Sequence, residues 1–375
     1  MTANNYIRTY VSTLLIAVIC SINIKANNTF TVDIPRSKYI SYEKKYAIQT
    51  RRLKKKLLKT WDTIQLSSNK KWVGYSDDLQ QKQVVDFEHN SILLETVSKS
   101  EQLAIKQLPI MLNDVFNKTI DDIVVKDIIE KDLPLNKKIS KKNKKIKLLS
   151  ELTNKDKEQI YTQLKTTPLT VVQYKDHTIY KVKLKLPKDH IIKKAKRYEK
   201  DVVKYSKKYK ISPSLIYAII HSESDFNPVA RSYTPAYGLM QIVPRTAGVD
   251  AYKFIYKKRK ILSSSYLYNT TNNIKLGSAY LHILYYIYFK DIKDKKSRMY
   301  CTIAAYNSGA GNVAKSFLKS TNVKRATKII NQLKPEIVYK KLMKNLPFIE
   351  TKQYLKKVSE KVTLYDHLLK NKWSI

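Results

Sequence analysis

The chain has 375 residues, 43% of them hydrophobic, and a formal net charge of +41. That apolar content excludes a disordered chain, and the length allows two or three domains, each with its own core. Two cysteines, Cys20 and Cys301, and six singly scattered histidines exclude a disulfide framework and a Cys/His metal cluster, and no cofactor is implied.

The N-terminus reads as a leader, residues 1–24. Arg8 gives a weak positive start and Tyr10 to Ile19 is an apolar run, short for a membrane span and suited to a signal-peptide core. Cys20 follows "LLIAVI", which resembles a bacterial lipoprotein signal, although Ile19 stands where such signals prefer a small residue. Two readings follow: lipidation at Cys20, which would anchor the chain stably to a membrane, or an ordinary secretory leader with an incidental cysteine.

From about Tyr39 to Leu66 the pattern predicts a basic helix. "KWVGYSDD" and "QVVDFEHNSILLETV" predict strands, with Asn90-Ser91 as a tight turn between alternating segments. Gln102 to Asn117 returns to helical spacing. Lys137 to Lys147 is a lysine tract and predicts a solvated loop or exposed face. Leu169 to Leu186 alternates as two strands with a turn near Asp176-His177. The expected first domain, residues 28–187, is therefore α+β with a small antiparallel sheet. After Pro187-Lys188 the pattern is helical to the C-terminus, which places an all-α domain at residues 188–375.

Within the second region, Ser212-Pro213 signals a helix start. Leu215, Ile216, Ile219 and Ile220 then recur at the spacing of one buried face. Glu223 falls on that same face, a turn before Asn227-Pro228. Asp225 lies roughly 200° around the helix and points elsewhere. A carboxylate at the end of an apolar face is partly desolvated, which raises its pKa toward the range a general acid needs. The bland reading is a glutamate paired with one of the many lysines. His221 lies on another face and reads as structural, and Cys301 reads as packed on an apolar helix. Five of the six glycines lie between Gly238 and Gly311, so the backbone there is expected to need positive φ or close approach.

Two further stretches join "ESDFNP": "AYGLMQIVPRTA" (Ala236 to Ala247) and "TIAAYNSGAGNV" (Thr302 to Val313). With "NNIKLGSAYL" (Asn272 to Leu281) and "ETKQYLKKV" (Glu350 to Val358), their order and spacing resemble the catalytic domain of the soluble-type lytic transglycosylases, relatives of goose-type lysozyme. The first domain, with "WVGYSD" and "FEHNSILLETV", further resembles a membrane-bound branch of that family. The resemblance implies an all-α lysozyme-like catalytic domain that acts on peptidoglycan glycan strands. It implies non-hydrolytic cleavage between N-acetylmuramic acid and N-acetylglucosamine, leaving a 1,6-anhydro end. Glu223 would be the single catalytic group, acid and then base. Substrate-binding roles fall on Ser224, Gly238, Met240, Gln241, Tyr306, Asn307 and Tyr354. A lipid anchor would hold the chain at the periplasmic face of the outer membrane, where other cell-wall enzymes are conceivable partners.

The alternatives are a hydrolase on the same fold, with water as the attacking group, and a non-catalytic basic protein bound to the cell wall. The charge suits anionic partners, yet Lys, Asn, Ile and Tyr are over-used together in a way that compositional drift also explains. The exported leader argues against nucleic acid. The first domain could bind glycan, dock a partner or hold the catalytic domain off the membrane.

Overall fold

A basic amphipathic helix has to bury its apolar stripe, and here it does so against a sheet. The computed structural model describes residues 36–126, 146–187 and 189–374. The leader with Cys20, most of the lysine tract and Lys188 lie outside the described residues. By its internal contacts the chain divides into two units, one formed by Pro35–Tyr280 with Lys361–Ile375, the other including Leu281–Glu360.

In the larger unit, helix α1 (Arg36–Leu57) precedes strands β1 (Lys71–Tyr75), β2 (Gln81–Asp86) and β3 (Ser91–Val97). Helices α2 (Glu101–Asn117), α3 (Ile120–Lys126) and α4 (Asn154–Thr166) intervene before β4 (Thr170–Gln173) and β5 (Thr178–Lys185). The five strands form one antiparallel sheet in the order β1-β2-β3-β5-β4. The expected hairpins are present: Asn90 takes φ +47 just before β3, and Tyr174 and His177 close the β4–β5 turn through a 2.8 Å backbone bond. Alternation is blurred in β3 because the strand is buried along most of its length.

Helix α1 stops at Leu57, short of the expected end at Leu66, because the chain turns there to drive Trp61 into the core. Trp61 packs with Leu53, Leu57 and Ile179, and its indole N–H donates to the Leu79 carbonyl at 2.9 Å. The Lys82 ammonium sits 4.5 Å from the Trp61 ring centre. Lys82 faces Glu95 across the β2–β3 register, Glu95 faces Lys181 across β3–β5, and both lysines pair with the Glu95 carboxylate. The charges within the sheet are thus cross-strand neighbours that neutralise one another.

After β5 the regular elements of the described chain are all helices, with isolated bridges at Arg231–Tyr237 and Tyr237–Ile242 in the connection after Ser224. The larger unit continues through α5 (His190–Arg197), α6 (Glu199–Tyr209), α7 (Pro213–Ser224), α8 (Ala247–Tyr256), α9 (Ser264–Leu267) and most of α10 (Thr270–His282). Three side chains of α5 lock it to the sheet region. His190 bonds Glu151 at 2.7 Å, Arg197 bonds the other Glu151 oxygen at 3.0 Å, and Lys194 donates to the Phe87 carbonyl at 2.9 Å. Burial pushes Glu151 upward, but its bond with His190 and the Arg197 charge outweigh this and hold it below the usual carboxylate range.

The smaller unit contains a π-helical turn (Ile283–Tyr288), α11 (Lys295–Ser308), α12 (Ala310–Lys315), α13 (Val323–Ile330), α14 (Pro335–Asn345) and the first part of α15 (Ile349–Lys370). Cys301 is fully buried in α11, and burial pushes its thiol far above the ordinary range, as expected for a packed rather than reactive cysteine. The observed order, a small antiparallel sheet with helices and then an all-helical region, matches the α+β and all-α sequence expected. Trp61→Ala should lower stability by about 4 kcal/mol. It should also speed amide exchange along α1, read by urea denaturation and hydrogen-exchange mass spectrometry.

Candidate active site

The helix that carries Glu223 begins as its sequence predicts, with Ser212 at the N-cap and Pro213 in the first turn. It is buried more completely than a one-faced pattern suggests. Leu215, Ile216, Tyr217, Ala218, Ile219 and Ile220 are all at most 3% exposed. Tyr217 stacks on Tyr365 at 5.2 Å and meets Trp373 edge-on at 5.2 Å, so the C-terminal segment closes the side that the isoleucines do not use. Against that background Glu223 is half-buried at the last turn, and Ser224 behind it is fully buried.

The helix ends in an unusual way. Asp225 and Phe226 both adopt left-handed backbone, φ +48 and φ +65, and neither is glycine. Each such residue costs on the order of 1–3 kcal/mol and persists only where its surroundings over-determine it. Asp225 pairs with Lys70 and with His221 Nε2 at 3.2 Å. Burial alone would raise its carboxyl, but the His221 hydrogen bond and the Lys70 charge outweigh this and pull it down to about 2. Burial lowers His221 more than Asp225 raises it. The neutral ring fits both of its contacts if it donates from Nε2 to Asp225 and accepts at Nδ1 from the Tyr365 hydroxyl, 3.0 Å away. Phe226 stacks on Tyr198 at 6.2 Å and is 1% exposed. His221 and Asp225 are thus structural partners of each other, in line with the faces they occupy in the sequence.

The Gly238–Gln241 turn packs beside the helix end. Ser224 Oγ lies 3.0 Å from the Ile220 carbonyl and 2.8 Å from the Leu239 carbonyl, tying the helix to that turn. Gly238 has φ +75, and a Cβ there would run into Asn273 and the Leu267 carbonyl. Asn273 is the hub of the turn. Its amide donates to the Tyr237 and Leu267 carbonyls, both at 2.8 Å, and its Oδ1 accepts from the Met240 N–H at 2.8 Å. Gly277, one helical turn later on α10, leaves the space that the Met240 side chain fills. The Asn-Ile-x-x-Gly spacing therefore has a local reason: positions i and i+4 share a helix face, and that face grips one turn.

The resemblance implied substrate contact for Ser224 and Met240. Both are fully buried, Ser224 against the two carbonyls and Met240 against the α10 face just described. Gln241, φ +47, donates to the Gly238 carbonyl at 3.0 Å while its Oε1 is buried without a hydrogen-bond partner. In the smaller unit Tyr306 and Asn307 lie in the last turn of α11 and are half-buried. Thr351 Oγ1 donates to Asn307 Oδ1 at 2.7 Å, one turn before the buried Tyr354 on α15. The Ala-Tyr-Asn and Glu-Thr-x-x-Tyr segments are thus joined by Asn307 and Thr351.

Sequence reasoning missed Asn69 and Lys70, in the connection between α1 and β1. Asn69 Nδ2 donates to the Glu223 carbonyl at 2.8 Å, Lys70 Nζ donates to the His221 carbonyl at 3.1 Å, and Asn227 Nδ2 returns a 3.3 Å bond to the Asn69 carbonyl. A turn-forming Ser-Ser-Asn stretch was the sole local signal, and it says nothing about a partner 154 residues away. Asn273→Ala would remove hydrogen bonds from the Leu267 carbonyl, the Met240 N–H and the Tyr237 carbonyl, of which the last keeps its bond from the Ile242 N–H. It should cost about 3 kcal/mol, seen as a lower urea midpoint, while Gly277→Ala should shift Met240 and alter its methyl NMR signal.

A family profile described as "Transglycosylase SLT domain" matches residues 201–330. A membrane-bound lytic murein transglycosylase C from Photorhabdus laumondii is 43% identical over 191 residues, 51% of this chain and 53% of the relative. A protein of the same name from Serratia proteamaculans is 33% identical over 303 residues, 79% of this chain and 82% of the relative. Among solved structures, the 70 kDa soluble lytic transglycosylase from Escherichia coli aligns with a TM-score of 0.37 and 25% identity over 48% of this chain and 26% of that one. By its 33% identity to the Serratia protein over 82% of that relative's length, this chain belongs to the membrane-bound lytic murein transglycosylase C family.

Proposed function

We propose that the chain is a peptidoglycan lytic transglycosylase in which Glu223 acts first as acid and then as base. The observation that carries this reading is Glu223 itself: a half-buried glutamate one turn after seven consecutive buried residues of α7, at a helix end held by outside contacts. Partial burial favours the protonated form that a general acid needs.

In the proposed reaction Glu223 protonates the glycosidic oxygen between N-acetylmuramic acid and N-acetylglucosamine. The C1–O bond breaks and the sugar gains oxocarbenium character, which the oxygen of its own 2-acetamido group stabilises. Most glycosidases use a second carboxylate at this stage, as nucleophile or as base for an attacking water. The ionised Glu223 then takes the proton of the C6 hydroxyl as that oxygen closes onto C1. The product is a 1,6-anhydro sugar, no water is consumed, and Glu223 ends protonated as it began. Gln241, with its unpartnered Oε1, is proposed as an acceptor for a substrate N–H or O–H. Gly238, Ser224 and Met240 support the turn that presents it. Tyr306 and Tyr354 are proposed as glycan contacts, with Asn307 braced by Thr351.

The proposed domain division is a leader at 1–24, an α+β domain at 28–187 and the catalytic domain at 188–375. Among the described residues no helix is long and apolar enough to cross a membrane. Membrane attachment is proposed to be through an acyl anchor on Cys20, at the periplasmic face of the outer membrane.

Purified protein incubated with peptidoglycan should release muropeptides lighter by one water than the corresponding reducing-end products, measured by mass spectrometry. Reducing-end products alone would make the chain a hydrolase. Glu223→Gln should lower release at least about 10²-fold while glycan-strand pull-down persists, and undiminished release would remove Glu223 from its role. Radiolabelled palmitate should enter the wild-type chain and not Cys20→Ala when each is expressed in a bacterial host.

A further inference from the structure

The last four carbonyls of an α-helix have no partner within the helix. At the end of α7 several of them are met from outside. The His221 carbonyl accepts from the Asp225 N–H at 3.1 Å and from Lys70 Nζ at 3.1 Å. The Glu223 carbonyl accepts from Asn69 Nδ2 at 2.8 Å. The Ser224 carbonyl accepts from the Asn227 N–H at 2.9 Å, and Asn227 is itself bonded to the Asn69 carbonyl at 3.3 Å. The Arg231 N–H reaches the Ser68 carbonyl at 3.4 Å. Lys70 also places its charge on the left-handed residue Asp225 and at the negative end of the helix. Residues 68–70 belong to the connection that leads into the sheet, so the sheet-bearing region ends on the backbone of the glutamate itself.

We propose that Asn69 and Lys70 are positioning residues for Glu223. Asn69 fixes the carbonyl of the glutamate. Lys70 holds the two-residue left-handed turn that follows it, through Asp225 on one side and the His221 carbonyl on the other. Together they set the height and direction from which the Glu223 side chain leaves the helix. The sheet-bearing region is then a working part of the catalytic apparatus and not a spacer. This inference rests on Glu223 being the acid–base group.

The test uses the full-length chain and soluble glycan strands as substrate, with turnover followed by release of anhydro products. Asn69→Asp keeps the side chain's shape and removes its N–H donor. Lys70→Met removes the charge, and Lys70→Arg restores a donor and a charge. Misplacing a reacting group by about 1 Å costs on the order of 10²-fold. Asn69→Asp and Lys70→Met should therefore lower kcat about tenfold or more, with KM within about twofold of wild type and a native circular dichroism spectrum. Lys70→Arg should recover most of kcat.

Glu223→Gln is measured in parallel. If it is inactive while folded Asn69→Asp and Lys70→Met turn over like wild type, the positioning role is wrong and the acid–base assignment stands. If Glu223→Gln turns over like wild type, both are wrong. A rise in KM with kcat unchanged would mark residues 69–70 as a substrate contact and overturn the proposal. Should Lys70→Met fail to fold, the donor-deleted Asn69→Asp decides the question alone.

Discussion

A helix that ends in two left-handed residues, neither of them glycine, cannot hold that ending by itself. The end of α7 is such a place, and much of the larger unit is arranged around it. Lys70 and His221 clamp Asp225, Tyr198 lies against Phe226, and Tyr365 reaches back to His221. Ser224 binds the same helix end to the carbonyl of Leu239. Backbone strain of this kind collects at sites that need a fixed geometry. The residue it follows is Glu223, the half-buried glutamate proposed as the acid–base group.

The second brace is Asn273, a buried amide with each of its polar atoms engaged. It supports the turn of Gly238, Leu239, Met240 and Gln241 by bonding a carbonyl before the turn, an N–H within it and the carbonyl at the end of α9. Networks in which every buried donor and acceptor is matched are rigid and costly to disturb. Gly277 complements it by absence of bulk, since Met240 fills the volume that a side chain would need. Two residues four apart on one helix thus account for the shape of a turn more than thirty residues upstream.

The sheet, its hairpins and the helix before them were legible because period-two and helical spacings are local. So were the start of α7 and the glycines at 238 and 277, where a special backbone or a close approach leaves a compositional trace. The end of α1 was misjudged by its helical pattern, since the pull of Trp61 into the core is a tertiary effect that no local spacing encodes. Ser224 and Met240 were marked by their motif, but whether a motif residue faces substrate or braces its neighbours depends on burial. The grip of Asn69 and Lys70 left no mark beyond a turn signal, because an asparagine and a lysine in a lysine-rich chain look the same whether they are solvated or bonded. The large positive charge hides such cases: Lys70, Lys82 and Lys194 each have specific partners, while many others are exposed.

The bond from Asn69 to Glu223 closes a loop of 154 residues, and this bears on the order of assembly. Long-range closures come late in folding, after the elements they join have formed. A chain emerging N-terminus first completes its strands before α7 exists as a stable helix. The cap on α7 is then among the last contacts to mature, so Glu223 sits on an unfinished helix end until the chain is nearly complete. Competence to cut the wall would arrive together with completion of the fold, a form of timing that needs no inhibitor and no propeptide.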